Sequence, residues 1–240
     1  MTAALFDAMD ATWPAAAMTA DGPWQFRVGD GGGKRVSATS ALGAVTQVDI
    51  DRAEQVMTDA GQDRLFMLHP GDTALDQMLA ARGYAVVDPV TIYACPTAQL
   101  TDTPLPRVSV FSIWEPLAMM VEIWDQGGIG PARLRVMERA QGPKTGFLAR
   151  YADKPAGTAF AAIHDDIAMV HAVEILPHQR RNGMGQWIMR AAGFWAAEQG
   201  AKTVSVMCTK ANTGANALYQ SLGLKAVGDY HYRLKTETPS

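Results

Sequence analysis

The apolar and polar positions of the chain change period several times before residue 100. Short apolar runs typical of strands occur at WQFRV (24–28), KRVSA (34–38), RLFMLH (64–69) and VVDPVTIYAC (86–95). Helical spacing predicts amphipathic helices at DRAEQVM (51–57) and ALDQMLAARGY (74–84). The glycine-rich stretch GDGGG (29–33) predicts a hairpin between the first two strands. Residues 96–106 are rich in proline, threonine and aspartate, so they are expected to form a linker.

From residue 108 the alternation restarts, and it predicts the order β-α-α-β-β-β-α-β-α-β. Strands are expected at residues 108–113, 146–151, 158–164, 168–176, 203–208 and 230–234, and helices at 116–124, 132–140, 184–199 and 215–222. Helices that cover a largely antiparallel sheet give an α/β, or α+β, fold. Together with the linker, the pattern predicts two domains, residues 1–100 and residues 107–240.

The composition excludes several classes of function. The 240 residues include 21 basic and 24 acidic side chains, a formal net charge of -3, so no nucleic-acid partner is expected. The N-terminal residues do not resemble a signal peptide, and no segment approaches the roughly 20 apolar residues that span a bilayer, so no membrane partner is expected. Cys95 and Cys208 lie in apolar runs without redox or metal-site spacing, which predicts reduced core residues in a cytoplasmic protein.

The stretch HQRRNGMGQ (178–186) follows an apolar strand and opens a predicted helix. The first backbone N–H groups of a helix have no partner within it, and together with the helix dipole they attract an anion. Gly183 and Gly185 would let this backbone approach a ligand, while Arg180 and Arg181 supply charge that matches a phosphate. The turn therefore predicts a pyrophosphate site, and a simple helix cap with solvated arginines is the alternative.

Other ligand motifs are excluded. The turn is not a dinucleotide fingerprint, because GxGxxG and the βαβ unit with its acidic residue are missing. GGGK, which ends at Lys34, is not a Walker loop, since it lacks the leading glycine and the hydroxyl residue after lysine. No metal is expected either. Metal-ligand spacing is absent among His164, Asp165, Asp166, His171 and His178.

Two segments resemble the signatures of one enzyme family. VEILPHQRRNGMG (173–185) resembles the acyl-CoA signature of the GNAT N-acyltransferase superfamily, an apolar strand, a proline and [QR]-x-x-G-x-[GA] at a helix start. NTGANALYQSLGL (212–224) is similar to the second signature, N-x-x-A-x-x-L-Y-x-x-x-G-[FL]. The resemblance runs from about residue 108 to the C-terminus and implies a GNAT-like fold with acetyl-CoA as co-substrate. It implies donor binding by Val173, Ile175, Arg180, Arg181, Asn182, Gly183, Met184, Gly185, Gln186 and Asn212.

The resemblance also implies a mechanism. The strand that ends at Leu176 and the strand at residues 203–208 are expected to splay apart, with pantetheine in the gap. A neutral primary amine attacks the thioester directly, without a covalent enzyme intermediate. Tyr219 matches the family position that protonates the departing thiolate, and its structural reading is a core tyrosine that packs a helix on a strand.

Three candidates for the general base that accepts the proton of the amine stay open, namely His171, Glu174 and water. A buried imidazole and a salt-bridged carboxylate are the structural readings of the two side chains, and they have equal weight. Strict strand alternation places His171 on one face with Val173, and Glu174 on the other face with Val170.

Residues 1–100 resemble a degenerate N-terminal GNAT-like repeat of the kind found in tandem members of the superfamily. Where the second signature would fall, Asp72 replaces the asparagine, Leu75 the alanine and Leu79 the tyrosine. No arginine-glycine turn precedes these residues, so this half is expected to support the acceptor side or the fold rather than bind acyl-CoA.

The function implied by the resemblance is transfer of an acetyl group from acetyl-CoA to a primary amine of a small molecule or peptide. A module that senses acyl-CoA without turnover is the alternative function, and a nucleotide is the alternative phosphate ligand. The sequence does not fix the oligomeric state, and a homodimer is one option. The acceptor pocket, or simple apolar packing, is expected around Trp114, Met119, Met120 and Trp124.

Overall fold

The structure is a computed structural model that describes residues 2–235. Its helices are α1 (Thr2–Thr12), α2 (Lys34–Ser37), α3 (Gln47–Asp59), α4 (Thr73–Ala81), α5 (Thr97–Leu100), α6 (Ala118–Gln126), α7 (Pro131–Arg139), α8 (Met184–Glu198) and α9 (Thr213–Ser221). Its strands are β1 (Ala17–Asp21), β2 (Trp24–Val28), β3 (Thr39–Ala41), β4 (Leu65–Leu68), β5 (Ala85–Pro96), β6 (Val110–Ile113), β7 (Lys144–Tyr151), β8 (Lys154–His164), β9 (Ile167–Ile175), β10 (Thr203–Thr209) and β11 (Lys225–Leu234).

The chain divides into two compact units. The N-unit contains Ala15–Thr91, Thr209–Ala211 and the chain from Gly228. The C-unit contains α1, Ile92–Cys208 and Asn212–Val227. The sequence predicted a single division at residues 100–107. In the structure, α1 joins the C-unit and the second part of β11 joins the N-unit, which a single division does not allow. The outer ends of the two expected domains, Met1 and residues 236–240, lie outside the described residues.

The N-unit has the strand order β1-β2-β3-β4-β11. β1 and β2 form an antiparallel hairpin, β3 and β4 run parallel, and β4 pairs antiparallel with β11. α3 and α4 contribute apolar side chains to one core because their apolar positions recur at helical spacing. That core packs Trp24 and Phe66 of the sheet against helical residues, namely Ile50, Ala53, Met57, Leu75 and Leu79.

The C-unit has the strand order β5-β10-β9-β8-β7-β6. Neighbours are antiparallel from β6 to β9, whereas β9 and β10 are parallel. α8 packs its Ile188 against the face that carries Ala161 and Val170. α1 and α6 contact β8 and β9 on the opposite face, where Trp13 lies beside Phe160. Because helices cover both faces, residues 156–163 of β8 are buried throughout.

The order of elements from β6 to β11 is the predicted one, but the first hundred residues differ in three places. KRVSA is the helix α2 rather than a strand, because four residues are too few to define a period. The hairpin therefore joins β1 and β2, and α1, β1 and β3 have no predicted counterparts. The expected linker contains α5, whose Leu100 is fully buried.

Within residues 2–235, no helix combines the length and apolar character that crossing a bilayer requires.

Candidate active site

The turn between β9 and α8 has an uncommon backbone. Pro177–Gln179 form a 3-10 turn, and Arg181 and Gly183 then adopt positive φ angles of 69° and 76°. Gly183 takes this left-handed conformation without a steric penalty because it has no Cβ, whereas arginine adopts it rarely. Gly183 is the N-cap of α8, and no side chain bonds to the start of that helix.

The backbone amides of this turn are open over one continuous segment. The amide of Trp187 donates to the carbonyl of Gly183 at 3.1 Å, and the amides of Gln179 and Arg180 donate to Leu176 and Pro177. In the described part of the chain, no protein group accepts from the amides of residues 181–186. Open donors and a positive dipole at a helix start attract an anion, and the anion site at this turn stays a prediction.

The polar side chains of the turn have different roles. Asn182 donates its Nδ2 to the carbonyl of Gln179 at 3.3 Å and so closes the turn on itself. Arg180 donates Nε to the carbonyl of Ile175 at 3.1 Å and lies on the end of β9 rather than over the open amides. Arg181 is exposed and bonds to no other described residue, so its guanidinium is available to a phosphate.

β9 and β10 stop pairing before either strand ends. Their parallel ladder runs from Thr203 and Ile167 to Val206 and Val170, although β9 continues to Ile175. The gap beyond this point is where the family resemblance expects pantetheine. Val173 and Ile175 are half-buried beside it and pack on the core that also contains Met184. Because Arg180 holds the carbonyl of Ile175, that group is already bonded before a donor arrives.

A β-bulge in β9 changes the expected faces of the strand. Phe160 of β8 pairs with His171, but Thr158 pairs with Glu174, so β9 has two residues where β8 has one. The strict alternation predicted for residues 168–176 is therefore wrong after His171, and Glu174 lies on the same face as His171. Ala172 has a φ of 51°, and the indole N–H of Trp124 donates to its carbonyl at 2.8 Å.

His171 is buried at the end of α1. Its Nε2 lies 2.9 Å from the hydroxyl of Thr12, which donates its one hydrogen to the carbonyl of Ala8 at 2.6 Å. Nε2 must then carry a hydrogen and donate to Thr12, so a base role for His171 would use Nδ1. The ring stacks on Phe160 and lies 5.0 Å from Trp13, measured between centroids.

Glu174 lies between the end of α6 and the turn from Leu176 to Gly183 that joins β9 to α8, which is the expected donor turn. Its Oε1 accepts from Nη2 of Arg180 at 3.3 Å. On the other side, a Cβ placed on Gly127 would lie 2.6 Å from Oε2, so only glycine allows this approach. The carboxylate is mostly covered, with a side-chain exposure of 20%, whereas that of Arg180 is 58%.

Tyr219 is buried on α9, yet its hydroxyl makes no hydrogen bond to another described residue. The ring lies 5.7 Å from that of Tyr93, whose own hydroxyl donates to Asn216 at 2.9 Å. Burial raises the pKa of Tyr219, and the neighbouring Cys208 raises it further, so the phenol is protonated. Cys208 is on the part of β10 beyond the ladder, so Tyr219 belongs to the gap between β9 and β10.

α9 begins with a side-chain cap at Asn212, which the resemblance implies as a donor-binding residue. The side chain of Asn212 accepts from the amide of Ala215 at 3.1 Å, so the observed role of Asn212 is to cap this helix. The first turn of α8 contacts α9, because a Cβ on Gly185 would lie 2.8 Å from Leu218. This contact brings the donor turn and the helix of Tyr219 together.

The expected acceptor residues are only partly accessible. Met120 and Trp124 are fully buried, whereas Met119 is 40% exposed. Trp114 is half-buried beside Phe160, and the ammonium group of Lys144 lies 5.0 Å from its ring centroid. Packing therefore accounts for Met120 and Trp124, while Met119 and Trp114 can contact a ligand.

The strand gap, the open turn and the buried phenol all lie in a segment, residues 113–224, that matches the acetyltransferase (GNAT) family. The chain carries a GNAT acetyltransferase domain. This domain begins at the end of β6 and contains β9, the donor turn and α9. The predicted family, fold and class of enzyme are confirmed at this level.

Proteins similar to this chain align with most of its length. The uncharacterized N-acetyltransferase YobR of Bacillus subtilis (strain 168) is 25% identical over 94% of this chain and 95% of its own. A GCN5-related N-acetyltransferase from Kribbella flavida has a TM-score of 0.74 at 19% identity, over 99% of this chain and 96% of that one. A tandem GNAT protein from the clavulanic acid biosynthesis pathway has a TM-score of 0.60 at 14% identity, over 85% and 76%. The likeness in fold thus extends beyond the GNAT domain.

Sequence reasoning missed three parts of the site. Thr12 is the last residue of α1 and Trp13 follows it; Leu5 and Met9 of this helix show the i, i+4 spacing of a buried helix face. Gly127 lies between the helices predicted at residues 116–124 and 132–140, and no local signal connects it with Glu174. No group of three or more potential metal ligands occurs within residues 2–235.

Proposed function

We propose that the GNAT domain transfers an acetyl group from acetyl-CoA to a primary amine of a small molecule or peptide. The observation that carries the proposal is the segment of open amides at residues 181–186. It lies at the end of a strand that has separated from its neighbour. The amides would hold the diphosphate, and Arg181 would add a positive charge. The gap between β9 and β10 would take pantetheine, with Val173 and Ile175 along one side.

The reaction needs no covalent enzyme intermediate. The lone pair of a neutral amine forms the new C–N bond at the thioester carbonyl, and the C–S bond breaks as the tetrahedral intermediate collapses. The departing thiolate takes a proton from Tyr219, while the proton lost by the amine passes to a base. Both groups return to their first states by proton exchange with water.

Tyr219 suits the acid role because burial shifts the pKa of its phenol and the pKa of a CoA thiol in the same direction. Burial raises its pKa, which would weaken it as an acid toward a thiolate in water. However, burial also raises the pKa of the Cys208 and Cys95 thiols to about 11 in the same core. A CoA thiolate in this environment would become more basic as well, so the phenol can protonate it.

The two base candidates have different surroundings. His171 donates Nε2–H to Thr12 and is enclosed by aromatic rings, which favours a role in holding α1 against the sheet. Glu174 faces the donor turn and α6 and keeps some exposure, so it can contact an amine directly. We propose Glu174 as the group that receives the amine, with water or Glu174 itself accepting the proton.

An acceptor screen tests the proposal. The full chain is incubated with acetyl-CoA and a panel of primary amines, and free thiol is measured over time. Amine-dependent thiol release is expected. A chain that binds acetyl-CoA but releases no thiol with any amine would be the sensing module instead. Thermal shifts with acetyl-CoA, CoA, ATP and NAD separate both from a nucleotide site, because only the first two should stabilise the chain.

The N-unit is proposed to be a degenerate GNAT-like repeat that does not bind the donor. Its α4 starts at Asp72 without a side-chain cap bond, and Leu79, in the place of the tyrosine, is fully buried. A cytoplasmic location and a homodimer remain predictions.

A further inference from the structure

We propose that the guanidinium of Arg180 moves from Glu174 to the diphosphate of the donor when the donor binds. This exchange frees Glu174 to bind the ammonium form of the acceptor amine. This inference rests on the proposed function and assigns its order: the donor first, then the amine. Arg180 is a positioning residue in this scheme. Glu174 is the binding site of the cation, and its carboxylate is blocked until the donor is present.

The contacts of Arg180 show a side chain with two competing uses. Its Nη2 donates to Glu174 and its Nε to the carbonyl of Ile175, and both acceptors lie on β9. The next residue, Arg181, begins the segment of open amides. A phosphate on those amides would compete with the carboxylate for the same guanidinium, because both anions match its donor fork.

The pair is weak enough to exchange. The Arg180 side chain is 58% exposed, and its contact with Glu174 is a single bond at 3.3 Å. An exposed ion pair of this kind changes an equilibrium constant by about fivefold or less. The guanidinium therefore has no strong preference for Glu174 once a diphosphate is bound beside it.

Glu174 has a reason to bind a cation after Arg180 leaves. The bulge at Ala172 turns it toward the face of His171, and its Oε2 packs against Gly127. Gly127 is the C-cap of α6, where the carbonyl ends of the helix give a partial negative charge. A carboxylate beside that helix end is best stabilised by a positive group, and the ammonium form of a primary amine supplies one.

A double-mutant cycle on CoA binding tests the exchange without any acceptor. Affinities of the full chain for CoA are measured by calorimetry for the wild type, Glu174→Gln, Arg180→Gln and the double variant. Glu174→Gln is expected to tighten CoA binding about two- to fivefold, because Arg180 no longer has a competing partner. In the Arg180→Gln background the same change should have no effect.

Two controls separate the exchange from a general charge effect. Glu122→Gln removes an exposed carboxylate of α6 that forms no ion pair with another described residue, and it should leave CoA affinity unchanged. In an Arg181→Gln background, Glu174→Gln should still tighten CoA binding, because Arg181 does not contact Glu174. Equal tightening by Glu122→Gln and Glu174→Gln, or tightening that persists without Arg180, would overturn the proposal.

The same measurements show whether a failure lies in the Arg180 exchange or in the proposed acetyltransferase function. If the wild type does not bind CoA, the donor site itself is wrong. If CoA binds and thiol is released with an amine, yet Glu174→Gln leaves the affinity for CoA unchanged, only the exchange fails. For an amine found in the screen, Glu174→Gln should raise its KM about tenfold as the cation site is lost.

Discussion

Two helices of this chain, α3 and α8, each connect the two strands of a parallel pair, and they begin in opposite ways. α3 of the N-unit starts with a capping box, in which the Thr46 side chain accepts from the amide of Asp49 and the Asp49 side chain accepts from that of Thr46. α8 of the C-unit starts at Gly183 with no side-chain cap and with open amides. The first helix satisfies its own donors, whereas the second offers them to a ligand.

The comparison is close because the surrounding elements correspond. β3, α3, β4 and α4 follow one another as β9, α8, β10 and α9 do, and each strand pair is parallel. The expected duplication of the two halves agrees with this order. A helix start gains about 1 kcal/mol from a cap, so its absence at α8 is a cost to stability that ligand binding can offset. We therefore expect the donor to bind at α8 and not at α3.

The largest expected effect is a negative charge at the start of α8. Gly183→Asp should reduce CoA affinity about 1,000-fold or more, because a carboxylate would lie beside the diphosphate in the same open amides. Calorimetry with CoA measures the loss.

Gly183→Asn is the matched control for that change. It has almost the same shape, and asparagine tolerates the left-handed backbone at a φ of 76° far better than most residues. It should therefore retain most of the affinity. If both variants bound CoA equally well, the diphosphate would not lie on these amides.

The next effect concerns Tyr219, whose signature position is filled by Leu79 in the N-unit. Tyr219→Phe should lower kcat about 100-fold through loss of the general acid, while CoA affinity stays nearly unchanged. Steady-state thiol release with an amine from the screen measures kcat.

Tyr93→Phe is the control within the same core. It removes a phenol whose ring lies 5.7 Å from that of Tyr219, but whose hydroxyl is hydrogen-bonded to Asn216 and Gln220. Its kcat should stay within a fewfold of the wild type. Similar losses in the two variants would point to packing rather than to acid catalysis.

The smallest effect is at the capping box of α3. Thr46→Ala should lower the free energy of unfolding by about 1 kcal/mol and leave CoA affinity unchanged. Thr58→Ala, which removes a hydroxyl from the exposed side of the same helix, is the control and should cost less. Denaturant unfolding measures both variants, and a change in CoA affinity with Thr46→Ala would contradict the assigned division of roles.

The capping box should also weaken in acid. The hydrogen bonds from Thr46 hold the pKa of Asp49 below its ordinary value of 3.8. A lowered folded-state pKa means that the contribution is present above about pH 4 and is lost as the pH falls below it. The difference between wild type and Thr46→Ala should accordingly shrink in acid.

Local signals predicted the parts of the site that depend on one short segment. The glycine turn follows from the residue types at 180–185, because only local backbone geometry and the helix start are needed. The capping box of α3 also has a local signal in the sequence, since Thr46 and Asp49 are three residues apart. The strand predicted at KRVSA is wrong because so short a segment does not distinguish the period of a helix from that of a strand.

Other parts of the site depend on partners far apart in the chain. The bulge at Ala172 exists only through pairing with β8, and strict alternation therefore placed Glu174 on the wrong face. His171 bonds to Thr12, which is 159 residues away, so no window of sequence could contain both. Gly127 approaches Glu174 only because α6 packs on β9.

The sequence by itself determined the donor turn, the order of elements in the C-unit and the tyrosine on α9, because spacing along one segment sets each of them. Only the tertiary structure decided which face of β9 carries Glu174, that Arg180 bonds to Glu174, and that α1 covers His171. These depend on strand register and helix packing, in which small free-energy differences between distant segments choose one arrangement among many.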